Sequence, residues 1–139
     1  MVSRHNGLVG DYFMKLFAPE AYWNAPRAEI DRIAGGCGPG RIGDKLIPDS
    51  LLGASIKEAC RIHDYMYHVG ATVEDKKEAD RVFLNNMLRI IFAGAKFFAL
   101  RYPRIFMAYV FYRMVKEFGG PAFWKSKNSP DEEREYESV

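Results

Sequence analysis

The sequence predicts an all-α protein that folds as one domain. Apolar residues recur at helical spacing along most of the chain, glycine and proline cluster between those segments, and no segment alternates convincingly as a strand. The chain has 139 residues, of which 48% are hydrophobic, and this is enough to build a single core. We assign residues 1–127 to the domain. Residues 128–139 carry five acidic side chains and one basic side chain, and we expect them to form an acidic, disordered tail.

The first third of the chain is predicted to contain a short helix and a long loop. Apolar residues lie at helical spacing from Leu8 to Phe17, and Pro19 closes the run, so we expect an amphipathic N-terminal helix. Residues 35–53 contain six glycines and two prolines. Because glycine and proline interrupt regular structure, we expect a long loop there.

Two antiparallel helices are predicted in the middle of the chain. Residues 55–68 have a helical apolar face, and Gly70 is placed to end that helix. A second helix begins after Thr72, whose hydroxyl can form a capping box with Asp75. We expect this helix to continue to about Leu100. The turn between the two helices is short, which makes them antiparallel neighbours.

A further helix is predicted near the C-terminus, after a break at Tyr102 and Pro103 and ending at Phe118. Residues 84–127 carry eight basic side chains and one acidic side chain, interleaved with aromatic residues. Such a segment could dock the protein on an anionic membrane surface. The alternative is that the aromatic residues belong to the core and the charges to a solvated face. No motif indicates nucleic acid, and we expect no nucleic-acid partner.

The sequence contains neither an export signal nor a membrane span that we could identify. The first residues lack the apolar stretch of a signal peptide, and basic residues interrupt the apolar segment 87–118. We therefore expect a cytoplasmic protein, or one delivered by a route without a signal peptide. The two cysteines, Cys37 and Cys60, exclude a disulfide-dense scaffold and leave either one bridge or two free thiols.

His63 and Asp80 each occupy a helical position where the apolar pattern calls for a hydrophobic side chain. A buried carboxylate needs a donor. Counted from the turn, His63 lies roughly 10.5 Å along the first helix and Asp80 roughly 12 Å along the second, so we expect them to pair. Tyr67, one turn from His63, can donate to the same carboxylate. A carboxylate on one imidazole nitrogen leaves the other nitrogen free to accept a proton from water. The alternative is a buried hydrogen bond without a catalytic role.

Asp64 and the glycine-rich segment suggest a cation site. Asp64 follows His63 directly and points about 100° away around the helix. Residues 36–40, Gly-Cys-Gly-Pro-Gly, can curl so that several carbonyls point inward, and calcium prefers carbonyl and carboxylate oxygens. The alternatives are a solvated Asp64 and a loop that cradles phosphate or simply turns the chain.

Three segments of the chain resemble the calcium-dependent phospholipase A2 family. Residues 37–40 (Cys-Gly-Pro-Gly) resemble its calcium loop, and residues 60–67 (Cys-Arg-Ile-His-Asp-Tyr-Met-Tyr) resemble its histidine helix. Residues 78–83 (Glu-Ala-Asp-Arg-Val-Phe) resemble the segment that carries its second catalytic aspartate. The three segments occur in the family's order, which is more specific than any one alone. The interval after residue 67 is too short for the family's β-hairpin.

The resemblance implies a bound Ca2+ ion and a phospholipase A2-like core. The implied calcium ligands are the carbonyls of Gly36, Gly38 and Gly40 and the carboxylate of Asp64. The resemblance also implies a disulfide bond between Cys37 and Cys60, which would fix the calcium loop to the histidine helix.

The implied reaction is calcium-dependent hydrolysis of the sn-2 ester of glycerophospholipids. His63 is implied to be the general base, Asp80 the residue that orients it, and Tyr67 the support of Asp80. Calcium and the backbone N–H of Gly38 would stabilise the oxyanion. The alternative is a phospholipase-like protein that binds or disrupts membranes without catalysis. A metal-dependent phosphohydrolase is disfavoured because it needs upstream histidine ligands, and only His5 lies upstream of His63.

Overall fold

The N-terminal segment forms a β-hairpin. The computed structural model describes residues 2–9, 12–34, 47–125 and 127. Side chains are described for all of these except residues 2–9, 12–15 and 95–97. Strand β1 (Val2–Val9) pairs antiparallel with β2 (Tyr12–Pro19), and Val9 lies opposite Tyr12. The prediction of an N-terminal helix is therefore wrong. Apolar pairs spaced four residues apart suit one face of a helix, but residues 10–11, Gly-Asp, are also a typical two-residue hairpin connection.

Two short helices and a second, smaller hairpin precede the central helices. The helices are α1 (Glu20–Asn24) and α2 (Arg27–Ile33), and the strands are β3 (Ser50–Leu51) and β4 (Ala54–Ser55). Leu52 and Gly53 between the strands have φ values of 45° and 87°, the left-handed backbone that a tight hairpin turn requires. The expected loop over 35–53 is thus wrong at its C-terminal end. Residues 35–46 lie outside the described part of the chain.

The predicted central helices are confirmed, but the second ends at Ala93, about seven residues before the expected Leu100. Helix α3 (Lys57–Val69) and helix α4 (Val73–Ala93) are joined by three residues. The Thr72 hydroxyl accepts from the Asp75 N–H at 3.0 Å, and the Asp75 carboxylate accepts from the Thr72 N–H at 3.1 Å. The predicted capping box is therefore confirmed. Gly70 ends α3 with an extended backbone rather than a left-handed one; a Cβ there would lie 2.7 Å from the Phe123 ring.

The C-terminal part is helical, but its breaks differ from the prediction. Helix α4 ends at Ala93 with Gly94 as its C-cap, a 3₁₀ helix (Ala95–Leu100) follows, and α5 extends over Arg101–Phe118. Pro103 does not break a helix: it lies in the first turn of α5, where no N–H is needed. A short helix that we did not predict, α6 (Gly120–Trp124), comes directly after α5 and has a proline in its first turn.

Helix α4 lies at the centre of the fold and packs against α3, α5 and β2. Its fully buried side chains include Val82, Phe83, Met87 and Ile91. The described chain is mostly helical, with two small two-stranded sheets, so the all-α prediction is confirmed only in this coarse sense, since the sequence indicated no strands. Among the described residues, none of the helices combines the length and the apolar composition of a bilayer-spanning segment.

Asn86 joins the N-terminal hairpin to α4. It is fully buried, its Oδ1 accepts from the Phe17 N–H at 2.7 Å, and its Nδ2 donates to the Phe17 carbonyl at 2.8 Å. The side-chain amide therefore satisfies both backbone groups of a strand residue, as a neighbouring strand would. This contact fixes β2 against α4 at a point six residues beyond Asp80.

Candidate active site around His63 and Asp80

Helices α3 and α4 bring His63 and Asp80 into direct contact. His63 Nε2 lies 2.8 Å from Asp80 Oδ1. Both side chains are buried, with 7% of His63 and 2% of Asp80 exposed. The predicted pairing across the antiparallel helices is confirmed. The contact leaves the Nδ1 atom of His63 as the second imidazole nitrogen, and no hydrogen bond among the described residues uses it.

Two further donors bind the Asp80 carboxylate. The Tyr67 hydroxyl donates to Oδ1 at 2.6 Å, as the spacing of α3 predicted. The Lys76 ammonium donates to Oδ2 at 2.9 Å, and the Lys76 side chain is only 13% exposed. Our sequence reasoning missed Lys76. The signal was available, because Lys76 precedes Asp80 by four residues and therefore lies on the same face of α4.

The charge state of Asp80 follows from these contacts. Burial alone would raise the pKa of the Asp80 carboxyl. The hydrogen bond and charge of His63, with the hydrogen bonds from Tyr67 and Lys76, outweigh burial and hold the pKa below its ordinary value. Burial, then the charge of Asp80, raises the pKa of the Tyr67 phenol. Asp80 is therefore ionised at neutral pH, and Tyr67 remains a neutral donor.

Aromatic rings enclose the imidazole of His63. The Tyr67 ring centroid lies 4.1 Å from that of His63, with the planes inclined at 45°. The Phe83 ring lies 4.7 Å away, with an inclination of 32°. A ring that packs against two other rings and is bonded at Nε2 has little freedom to rotate. Nδ1 therefore has a fixed direction, which a general base requires.

The end of α5 and helix α6 contact Tyr67 and Lys76, the two residues that bind Asp80 beside His63. The Val115 carbonyl near the end of α5 accepts from Lys76 Nζ at 3.0 Å, and its oxygen lies 3.5 Å from the Tyr67 hydroxyl oxygen. Gly119 leaves room for that hydroxyl, since a Cβ there would lie 2.5 Å from it. The Phe123 ring of α6 packs edge-on against the Tyr67 ring at 5.2 Å. The end of α5 and helix α6 therefore hold Tyr67 and Lys76 in place, a role that the sequence did not indicate.

Of the predicted calcium ligands, only Asp64 lies within the described residues. It is half-buried on α3, and its charge contributes to the raised pKa of Tyr67, after burial and Asp80. Gly36, Gly38 and Gly40 lie outside the described residues, as does Cys37, so the calcium cage and the bridge to the buried Cys60 stay predictions. In the described ranges, no group of three or more histidine, cysteine, aspartate or glutamate side chains is arranged to hold a metal ion.

The packing of α2 against α3 is compatible with a cation site at Asp64. Arg27 of α2 lies 3.4 Å from the Glu58 carboxylate, and Asp31, one turn later, accepts a hydrogen bond from Arg61. Helix α2 therefore lies beside the helix that carries Asp64, and it ends at Ile33, two residues before the first glycine of the glycine-rich segment.

Comparison with known proteins gives no relative for this chain. No protein-family model, curated protein or solved structure matches it.

Proposed function

We propose that this chain is a calcium-dependent phospholipase A2 that hydrolyses the sn-2 ester of glycerophospholipids. The observation that carries the proposal is the buried His63, which is bonded to Asp80 through Nε2 at 2.8 Å and keeps Nδ1 free of described partners. The choice of substrate rests on the resemblance of the three motif segments to the phospholipase A2 family. The reaction type rests on the chemistry of the His63–Asp80 pair, in which the imidazole can act as a general base.

The proposed steps use the proton of one water molecule. His63 Nδ1 accepts that proton as the water oxygen attacks the ester carbonyl. The resulting imidazolium has an N–H at Nε2 that donates to Asp80, and the negative carboxylate stabilises the positive ring. When the tetrahedral intermediate collapses, the imidazolium returns the proton to the leaving glycerol oxygen. The products are a fatty acid and a lysophospholipid, and His63 is neutral again.

The implied cation would be held by the Asp64 carboxylate and by the carbonyls of Gly36, Gly38 and Gly40. A carboxylate and several carbonyls form a suitable ligand set for calcium. The packing of α2 against α3 supports the proposal, because α2 ends shortly before the glycine-rich segment. Bound calcium supplies positive charge for the ester oxygen as it becomes negative. The backbone N–H of Gly38 donates a hydrogen bond to the same oxygen in this proposal.

The proposal is tested by a matched pair of histidine variants. His63→Gln keeps a donor for Asp80 but removes the base, so we expect kcat to fall at least about 100-fold. His68→Gln, on the exposed side of the same helix, should keep the wild-type rate. Circular dichroism of both variants shows whether the fold is intact. Wild-type activity in a folded His63→Gln variant would overturn the proposal.

The second candidate is a phospholipase-like protein that binds or disrupts membranes without catalysis. The observation in its favour is the set of exposed aromatic side chains at the C-terminal helices, among them Phe98, Tyr102 and Phe106, which are 64%, 76% and 68% exposed. In this case the wild-type protein would bind phospholipid vesicles without releasing fatty acid. His63→Gln would then bind vesicles as well as the wild type does.

A further inference from the structure

We propose that the exposed aromatic face of α5 is the surface with which this protein docks on an anionic lipid bilayer. We call this surface the α5 outer face and define it by Tyr102, Phe106 and Tyr109. The proposal extends the proposed function, on which the choice of a lipid partner partly rests, but it concerns a surface outside the active site and does not require catalysis.

The α5 outer face lies opposite the side of the helix that packs on the core. The core side carries Arg104, Ala108, Phe111 and Val115, all buried. On the other side, Tyr102, Phe106 and Tyr109 are 76%, 68% and 49% exposed. A helix on the surface of a protein in water normally presents charged side chains there. Three large aromatic side chains in a row on the exposed side therefore indicate a partner.

Aromatic and basic side chains extend the α5 outer face at its N-terminal end. Phe92 at the end of α4 and Phe98 in the 3₁₀ helix are 55% and 64% exposed. The Arg101 guanidinium lies over both rings, 5.4 Å from the Phe92 centroid and 4.7 Å from the Phe98 centroid. A guanidinium beside exposed rings can bind lipid phosphate while the rings enter the headgroup region.

The C-terminal end of the α5 outer face is apolar and open. A shallow groove of about 450 Å³ lies along it and is bordered by Phe106, Tyr109, Met114 and Phe118. Phe118 is 66% exposed. The charged residues of this groove, Arg113 and Glu117, lie 3.8 Å apart and offset each other. The surface thus continues for the whole length of α5.

The charge of the surrounding segment favours an anionic bilayer over a protein partner. Residues 84–127 carry eight basic side chains and one acidic side chain, Glu117. Of the basic ones, Arg104 is buried and Arg113 is offset by Glu117, which still leaves the segment with a positive net charge. Each exposed lysine or arginine near an anionic membrane surface adds to binding, and aromatic side chains are enriched at the depth of the headgroups. Exposed rings with Arg101 at one end of α5 and the exposed Lys116 at the other have the composition of an interfacial membrane helix.

The test is sedimentation of the full-length protein with vesicles, measured with chelator present so that no ester is cleaved. The vesicles contain either phosphatidylcholine alone or phosphatidylcholine with phosphatidylglycerol. We expect at least tenfold tighter binding to the anionic vesicles. The variant Tyr102→Ser/Phe106→Ser should bind them at least tenfold more weakly. The control, Leu52→Ser/Val69→Ser, changes side chains of 49% and 53% exposure outside the face and should bind as the wild type does.

Three results would overturn the docking proposal. The first is that the wild type does not bind anionic vesicles. The second is that the Tyr102→Ser/Phe106→Ser variant binds them as tightly as the wild type does. The third is that sedimentation velocity shows a wild-type dimer and a monomeric variant, with no vesicle binding by either.

Hydrolysis of a short-chain phospholipid dissolved as monomers separates this proposal from the proposed function. Hydrolysis of that substrate without vesicle binding refutes docking and retains the esterase. Vesicle binding without hydrolysis of any phospholipid retains docking and refutes the esterase.

Discussion

Replacing Asp80 by asparagine should destabilise the fold because it sets two donors against each other. The amide oxygen can still accept from His63 and Tyr67 in the position of Oδ1. The amide nitrogen would then face the Lys76 ammonium, which lies 2.9 Å from Oδ2 in the wild type. Removal of one partner from a buried ion pair costs about 3–5 kcal/mol. Because Lys76 also donates to the carbonyls of Val115 and Lys116, we expect the lower end, about 3 kcal/mol.

A double-mutant cycle isolates the contact. Lys76→Met alone removes one donor and leaves Asp80 bonded to His63 and Tyr67, and we expect a loss of about 2 kcal/mol. In the Lys76→Met background no ammonium opposes the new amide. Asp80→Asn should then cost only about 1 kcal/mol more, which gives a coupling energy of about 2 kcal/mol.

The assay is urea unfolding followed by circular dichroism, with free energies compared at equal slopes. Glu78→Gln is the matched control, since Glu78 and Arg81 form an exposed pair on the same helix with side chains 42% and 57% exposed, and it should cost under about 0.5 kcal/mol. If the Asp80 and Lys76 effects add in the double variant to within about 0.5 kcal/mol, the two side chains do not stabilise each other as described.

Three other predictions concern the same framework. Thr72→Ala removes the hydroxyl of the capping box and should cost about 1 kcal/mol of unfolding free energy, whereas Thr72→Ser should recover most of it. Asn86→Ala removes the hydrogen bonds that the Asn86 amide makes to the N–H and the carbonyl of Phe17, so it should cost about 2–4 kcal/mol in urea unfolding; a loss below about 1 kcal/mol would contradict the role of this amide. The third prediction is that the cost of Asp80→Asn depends on pH. Because the pKa of Asp80 is lower in the folded state, its stabilisation is complete above the unfolded value of about 4 and is lost as pH falls through the folded value. Unfolding curves at several pH values should therefore show a full cost at neutral pH and a smaller one in acid.

The sequence was sufficient to predict the two central helices and the pairing between them. Both helices are long and periodic, and the capping residue Thr72 fixes where α4 begins, so counting residues gave the heights of His63 and Asp80 correctly. The N-terminal hairpin could not be separated from a helix by apolar spacing alone. The Gly-Asp pair at residues 10–11 was the local signal that favours a hairpin over a helix. The contact of Phe17 with Asn86 is tertiary and has no such signal.

The polar partners of the His63–Asp80 pair were predictable only where they lie on the same helix as His63 or Asp80. Tyr67 lies four residues after His63 and Lys76 lies four residues before Asp80, so helical spacing alone could have identified both. Val115 lies on a different helix, thirty-five residues after Asp80 in the sequence, and no local sequence pattern indicates that its carbonyl contacts the site. The exposure of Tyr102 and Phe106 was also beyond the sequence, because an aromatic residue at helical spacing suits a core as well as an outer face.

The most direct test of the proposed function is fatty-acid release from vesicles whose phospholipids carry different labels on the sn-1 and sn-2 acyl chains. The wild-type protein is incubated with calcium, with chelator, and with chelator followed by excess calcium. We expect release of the sn-2 label in calcium, no release in chelator, and recovery when calcium is restored. Release of the sn-2 label that continues unchanged in chelator would contradict the calcium mechanism, and the absence of any release by the folded protein would contradict the proposed esterase.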